Sequence, residues 1–233
     1  MAGIYAAYGG VRAFRGGGLE EGRRNAGRVL ALERRLGIDI EARAQILFTE
    51  RRLGMPFWNA LYLASQIVVM PLTILLVYHR GRHAYPFVRT SFALAWAATL
   101  VWYSLQPVAP PRLMESGYED TVSRGTLLDL NGRFARAFYN PMAAMPSLHV
   151  GVAPLVGWAL WRLSPWPATR ALGLAYPGLV SVAVVVTGNH FVLDVAGGAA
   201  VVAPAAAVAR MLTGPPSSPT GRGRGAGGAR TSG

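Results

Sequence analysis

Five apolar runs dominate the chain, roughly Pro56–His79, Phe87–Pro107, Met145–Leu163, Ala171–Gly188 and Phe191–Leu212. A helix needs about 20 residues to cross the hydrocarbon of a bilayer, and each run comes close to that length. A soluble fold would have to hide all five within 233 residues. Prolines argue the same way, because Pro71, Pro154, Pro177 and Pro204 lie inside the runs. Each would cost a soluble helix about 3 kcal/mol, whereas membrane helices tolerate proline where neighbours re-satisfy the backbone. Only 15% of the residues are charged, below the about 25% of soluble domains. The sequence thus predicts an all-α polytopic membrane bundle of about five transmembrane helices over residues 56–213.

The flanking segments read differently. Residues 1–55 include "RVLALERRLGIDIEARAQILFTERRLG", a charged stretch that predicts one or two amphipathic helices at the membrane interface. The opening "MAGIYAAYGGVRAFRGGG" lacks the sustained apolar core of a signal peptide, and "YAAYGGVR" resembles the end of a further membrane helix. Residues 214–233, rich in Gly, Pro, Ser and Arg, carry the composition of a disordered tail. All 23 basic residues are arginine and the net charge is +12. Such a charge can attract nucleic acid, but the arginines gather between the apolar runs, which fits membrane flanks and makes the bilayer, not nucleic acid, the expected partner. With no cysteine, neither a disulfide nor a thiolate zinc site can form.

Arginine placement also orients the chain. Arg80, Arg82 and Arg89, then Arg162 and Arg170, then Arg210 and the tail fall on one side of a five-span topology. The positive-inside rule makes that side cytoplasmic. The loop from Val108 to Ala144 and the turn at Gly188–Asn189 then lie outside, together with the ten arginines before Pro56, which run against the rule. The expected location is a bacterial plasma membrane with the polar site on its extracytoplasmic face.

Three stretches meet at that outer mouth: "YSLQPVAPPRL", "NPMAAMPSLHV" and "TGNHFVLDV". They bring Arg112, Ser147, His149, Asn189, His190 and Asp194 to one depth. His190 and Asp194 are four apart and share a helix face. A neutral imidazole can attack phosphorus while a carboxylate on its other nitrogen fixes the tautomer. A second histidine can protonate the departing alkoxide, and arginine can hold phosphate oxygens. Pro110 and Pro111 stiffen the approach to Arg112, and Pro146 suits the first turn of a helix whose amides would face an anion.

"PSLH" at Pro146–His149, with "HFVLD" beginning 41 residues after His149, resembles the type-2 phosphatidic acid phosphatase superfamily, whose second motif is P-S-x-H and whose third ends in H-x-x-x-D. "QPVAPPR" and "NPMAAMPSLHV" resemble more specifically the branch of inositolphosphorylceramide synthases and their bacterial relatives. The resemblance runs from Pro56 to about Leu212. It implies a lipid phosphate substrate, a phosphohistidine on His190 oriented by Asp194, and His149 as the acid, with no metal or other cofactor. Ser147 and nearby amides would contact phosphate, with Arg112 and Asn189 assigned to substrate by position. Two motif elements differ: no lysine exists for the first motif, and Ala183 and Val184 stand where the third begins with S-R. Members of the synthase-like branch transfer a phosphate-bearing head group to an alcohol or lipid acceptor, so hydrolysis and transfer are both open.

Other readings of the same residues stand beside this one. His149, His190 and Asp194 are a plausible catalytic zinc set, and a non-catalytic transporter could use the cluster to bind an ion or lipid. Ser147 lacks the G-x-S-x-G setting of a serine hydrolase. Asn59, Gln66 and Thr73, seven apart, are expected to join helices by hydrogen bonds. Thr99, Tyr103 and Gln106 form a stripe rising toward Arg112, and His79 and His83 are expected at the opposite interface.

Overall fold

The structure, a computed structural model, describes residues 18–51, 53–114, 117–126, 129–130, 132 and 140–216. The stretch "YAAYGGVR", much of the loop after Met114 and most of the Arg-rich tail fall outside the described residues. The described residues form eight helices and no strand: α1 (Leu19–Leu36), α2 (Glu41–Glu50), α3 (Met55–Arg80), α4 (Tyr85–Leu105), the one-turn α5 (Thr121–Gly125), α6 (Leu148–Leu163), α7 (Pro167–Val186) and α8 (Val192–Thr213). The five apolar runs are α3, α4, α6, α7 and α8.

Among the described residues three helices, α3, α7 and α8, are long and apolar enough to cross a membrane by themselves. The other two apolar runs of the sequence reading, α4 and α6, are helices of the same bundle. Helix α6 has only 16 residues, because its N-terminal end is given over to the irregular "NPMAAMP" stretch. Helix α4 has 21 residues but carries Arg89, Ser91, Thr99 and Tyr103, of which the last three are buried in the bundle and dilute its hydropathy. Large apolar side chains remain exposed along the spanning helices, among them Ile67, Leu72, Leu174 and Met211, as a lipid-facing surface requires.

Local chemistry sets the helix ends. Proline stands in the first turn of α3, α4 and α7, where its fixed φ is pre-organised and its missing N–H costs nothing. Helix α1 has Glu20 and Glu21 in its first turn and Arg34 and Arg35 in its last, and ends on Gly37 in the left-handed conformation, matching charge to the helix dipole. Within α3 a π turn at Ser65–Val69 immediately precedes Met70 and Pro71. The wider turn accommodates a ring that would crowd the carbonyl four residues back.

Helices α6 and α7 form an antiparallel hairpin, α8 packs on both α4 and α6, and α3 closes the other flank of α6. One end of the bundle gathers the N-termini of α3, α6 and α8 with the C-termini of α4 and α7. Helices α1 and α2 lie across this end, not apart from the bundle: Ala109 N–H donates to Gly22 O (3.0 Å), Asn25 Nδ2 to Pro107 O (2.8 Å) and Gln45 Nε2 to Val186 O (3.3 Å). The arginines of α1 and α2 therefore share an end with the candidate site, as the five-span reading requires.

The predicted helix-joining stripe on α3 is corrected in two of its three places. Thr73 Oγ1 donates to Val69 O of its own helix, and Gln66 Nε2 contacts Met70 Sδ, also on α3. Only Asn59 reaches another element. Its amide donates to Thr121 O (2.8 Å) and accepts from Thr121 Oγ1 (2.9 Å), fastening α5 to α3.

Candidate active site

The chain turns from α7 into α8 through Gly188, whose φ of +69° is a left-handed value that glycine adopts without penalty. The amides of Asn189 and His190 both donate to Val184 O, and Thr187 Oγ1 donates to Ala183 O. Ala183 and Val184, at the positions where the resembled family places Ser and Arg, thus hold the turn through their carbonyls. Their side chains are fully buried and offer nothing polar.

This turn delivers His190, 3% exposed, to the start of α8. Its Nδ1 lies 2.7 Å from Ala144 O and 3.3 Å from Asp194 Oδ2. Both partners are acceptors, so the neutral ring must carry its proton on Nδ1 and leave the Nε2 lone pair free. Asp194, fully buried, also accepts from Phe191 N–H at 2.8 Å and so caps its own helix.

His149 comes from the first turn of α6. Its ring stands edge-on to His190 at 5.6 Å between centroids and stacks on Tyr62 of α3 at 4.6 Å and 21°. Ser147 is the N-cap of α6, its Oγ accepting from Val150 N–H at 3.5 Å, and its own N–H donates to Asp194 O at 3.0 Å. Pro146 therefore precedes the cap instead of occupying the helix's first turn, because the Ser147 side chain takes the capping role. The amides of Leu148 and His149 have no acceptor among the described residues. Tyr103 Oη donates to Pro146 O at 2.7 Å, so α4 braces this loop, while Thr99 Oγ1 turns back to Ala95 O and Gln106 is exposed.

Arg112 lies in a 3₁₀ turn, Pro111–Leu113, and is 6% exposed. Its Nε donates to Asn189 Oδ1 (2.9 Å) and its Nη1 to Asp120 Oδ2 (3.2 Å). Asn189 Nδ2 donates to Thr187 O and Oγ1, so this amide is spent on the turn and on holding Arg112. The loop carrying Arg112 is tied to the loop before α6 by a short parallel bridge, with Val108 N–H donating to Met142 O and Ala144 N–H to Val108 O. All six residues singled out in the sequence thus belong to one end and one network.

Several contributors were not singled out. The Ala144 carbonyl, the Tyr62 ring and Asp120 left no motif. Glu33 and Glu41 are 0% and 1% exposed and reach α8 from the amphipathic segment: Glu41 Oε1 accepts from Val192 N–H (2.8 Å) and Glu33 Oε1 from Leu193 N–H (2.7 Å). The one sequence signal was acidic residues within an arginine-rich stretch.

Asp194 faces His190 Nδ1, while His149 is stacked on Tyr62, and among the described residues no three His, Cys, Asp or Glu side chains converge to hold an ion. No individual curated protein and no solved structure matches the chain. The family model described as the PAP2 superfamily matches residues 27–208, spanning the His149 and His190 motifs, α2 and the second half of α1. The chain belongs to the PAP2 superfamily and is a phosphatase-type lipid-phosphate enzyme of the membrane.

Proposed function

We propose that the protein forms a phosphohistidine on His190 and works as a metal-independent lipid phosphate phosphatase or phospho-head-group transferase of the synthase-like branch. The observation that supports this most is the pair of acceptors on His190 Nδ1, Ala144 O and Asp194 Oδ2, which leaves Nε2 as the nucleophilic nitrogen.

The Nε2 lone pair attacks phosphorus, the N–P bond forms, and the P–O bond to the lipid breaks. His149 donates a proton to the departing oxygen. Water, or an alcohol in the transferase case, then attacks phosphorus and gives its proton to His149 while the N–P bond breaks. Asp194 stabilises the ring while it carries positive charge. The unspent amides of Leu148 and His149 at the α6 N-terminus, with Arg112 held by Asn189 and Asp120, form the phosphate cradle. The site faces the extracytoplasmic side of a bacterial plasma membrane, where lipid head groups present phosphate at helix-end depth.

Purified protein is incubated with phosphatidate, lysophosphatidate, a polyprenyl pyrophosphate and phosphatidylinositol, with and without alcohol acceptors, following free phosphate and new phospholipid. Acid-labile phosphoprotein that disappears in His190→Ala is the expected result. Full turnover by folded His190→Ala would overturn the mechanism, and chelator-sensitive turnover would transfer the case to metal chemistry.

A further inference from the structure

Helix α8 begins with three amides that need partners, and each has one. Asp194 N–H bonds Phe191 O at 3.1 Å. Val192 N–H and Leu193 N–H, immediately after the His190–Phe191 pair, donate to Glu41 and Glu33. These two carboxyls come from 151 and 160 residues away in sequence. Two carboxylates brought out of water repel one another and carry a heavy desolvation cost unless compensated. Here the remaining oxygens, Glu33 Oε2 and Glu41 Oε2, are buried with no hydrogen-bond partner among the described residues. Burial, against the Leu193 amide bond and with the neighbouring Glu41, pushes the Glu33 carboxyl up to about 8, so Glu33 holds its proton at neutral pH. The other titratable groups acting on the pair are Asp194 of α8 and Tyr118 beside α5, with Arg34 and Asp39 acting on Tyr118 from the α1–α2 turn.

We propose that Glu33 and Glu41 are positioning residues for the reaction at His190, an inference that rests on His190 being the nucleophile. The pair spends the positive end of α8, so that the amides left for phosphate are those at the start of α6. It also places a carboxylate at the start of the nucleophile's helix. That charge favours the ring when it becomes cationic and disfavours a phosphate settling on α8 itself.

The test uses the full chain in mixed micelles with the four lipid phosphates named above, measuring kcat, KM and thermal midpoint. Glu41→Gln keeps an acceptor oxygen for Val192 N–H but removes the charge. Its expected kcat is about tenfold lower, the scale of a charge on a helix N-terminus, with KM within about twofold and the fold intact. Glu33→Gln cannot lose a proton, so any change in native kcat that accompanies ionisation of Glu33, as pH rises through about 8, should be absent from it. Glu50→Gln, exposed at the end of α2, is the unchanged control. A folded Glu41→Gln with native kcat, a change in KM alone, or a Glu33→Gln pH profile identical to native overturns the proposal. Failure of the underlying reading shows separately, as phosphoprotein that survives His190→Ala.

Discussion

Asp194→Asn separates two jobs that one carboxylate usually performs together. Where a carboxylate alone fixes the histidine tautomer, its amide replacement costs about 10⁴ in rate because the ring adopts the wrong tautomer. Here Ala144 O, at 2.7 Å, is the nearer acceptor on Nδ1 and survives the substitution. The oxygen of the new side-chain amide can still accept from Phe191 N–H, so the helix cap remains. What is lost is the charge. At 3.3 Å and an effective dielectric of about 20, the attraction to a cationic ring is at most about 5 kcal/mol. A charge-assisted hydrogen bond is worth about 1.5–3 kcal/mol net, and the upper end of that range corresponds to roughly 10²-fold in rate. Rapid quench of phosphoprotein formation from radiolabelled lipid phosphate measures the step directly. Phosphoprotein should still form in Asp194→Asn, roughly 10²-fold more slowly than native. A variant as dead as His190→Ala would show that Ala144 does not hold the tautomer. A variant within about twofold of native would show that Asp194 does not stabilise the charged ring.

Three further outcomes follow from the packing and electrostatics. A Cβ on Gly198 would overlap Ser147 O and lie 3.0 Å from Gly151 N, both backbone atoms that cannot swing aside; Gly198→Ala should cost about 1–3 kcal/mol, lower the thermal midpoint and slow turnover by prising α6 from α8. Tyr62→Leu removes the face on which the His149 ring lies; an aromatic pair is worth about 0.5–1.5 kcal/mol, so kcat should fall several-fold, most for substrates with poor leaving groups, while Tyr62→Phe keeps the stacking and most of the rate. The Glu33 carboxyl titrates at about 8 in the folded protein against 4.5 unfolded, so between those values the folded chain binds more protons and stability falls as pH rises. The part linked to Glu33 is fully present below about 4.5 and lost as pH rises through about 8, a slope that calorimetry should detect in native protein and find reduced in Glu33→Gln.

The bundle was legible because run length and proline tolerance are properties of contiguous sequence. Helix bounds moved by only a few residues for α3, α4 and α8, and α6 lost its first turn to the loop around Pro146. His149, His190 and Asp194 were legible because their residue types are rare in apolar runs and helical spacing puts i and i+4 on one face. Their supports were not. Ala144, Val192 and Leu193 act through backbone groups, which every residue has and no side chain advertises. Glu33 and Glu41 were hidden for the same reason: their partners are main-chain amides at the far end of the chain, so the acidic positions looked like the polar side of an interfacial helix. Thr73 and Gln66 misled in the opposite direction, since a hydroxyl or amide on a helix can satisfy itself locally.

The bonds from Glu33 and Glu41 to α8 also impose an order on biogenesis. Helix α1 leaves the ribosome long before α8, and until Val192 and Leu193 arrive its two carboxyls have no amides to accept from. Their burial is unfavourable alone, so they stay hydrated, and the amphipathic segment is left with only its bonds to the stretch after α4 while the later helices insert. Arrival of α8 brings the nucleophile and the missing donors in the same turn of helix. The last bonds over the mouth and the completion of the reactive histidine pair therefore arrive together, and a nascent chain stalled before that turn has neither.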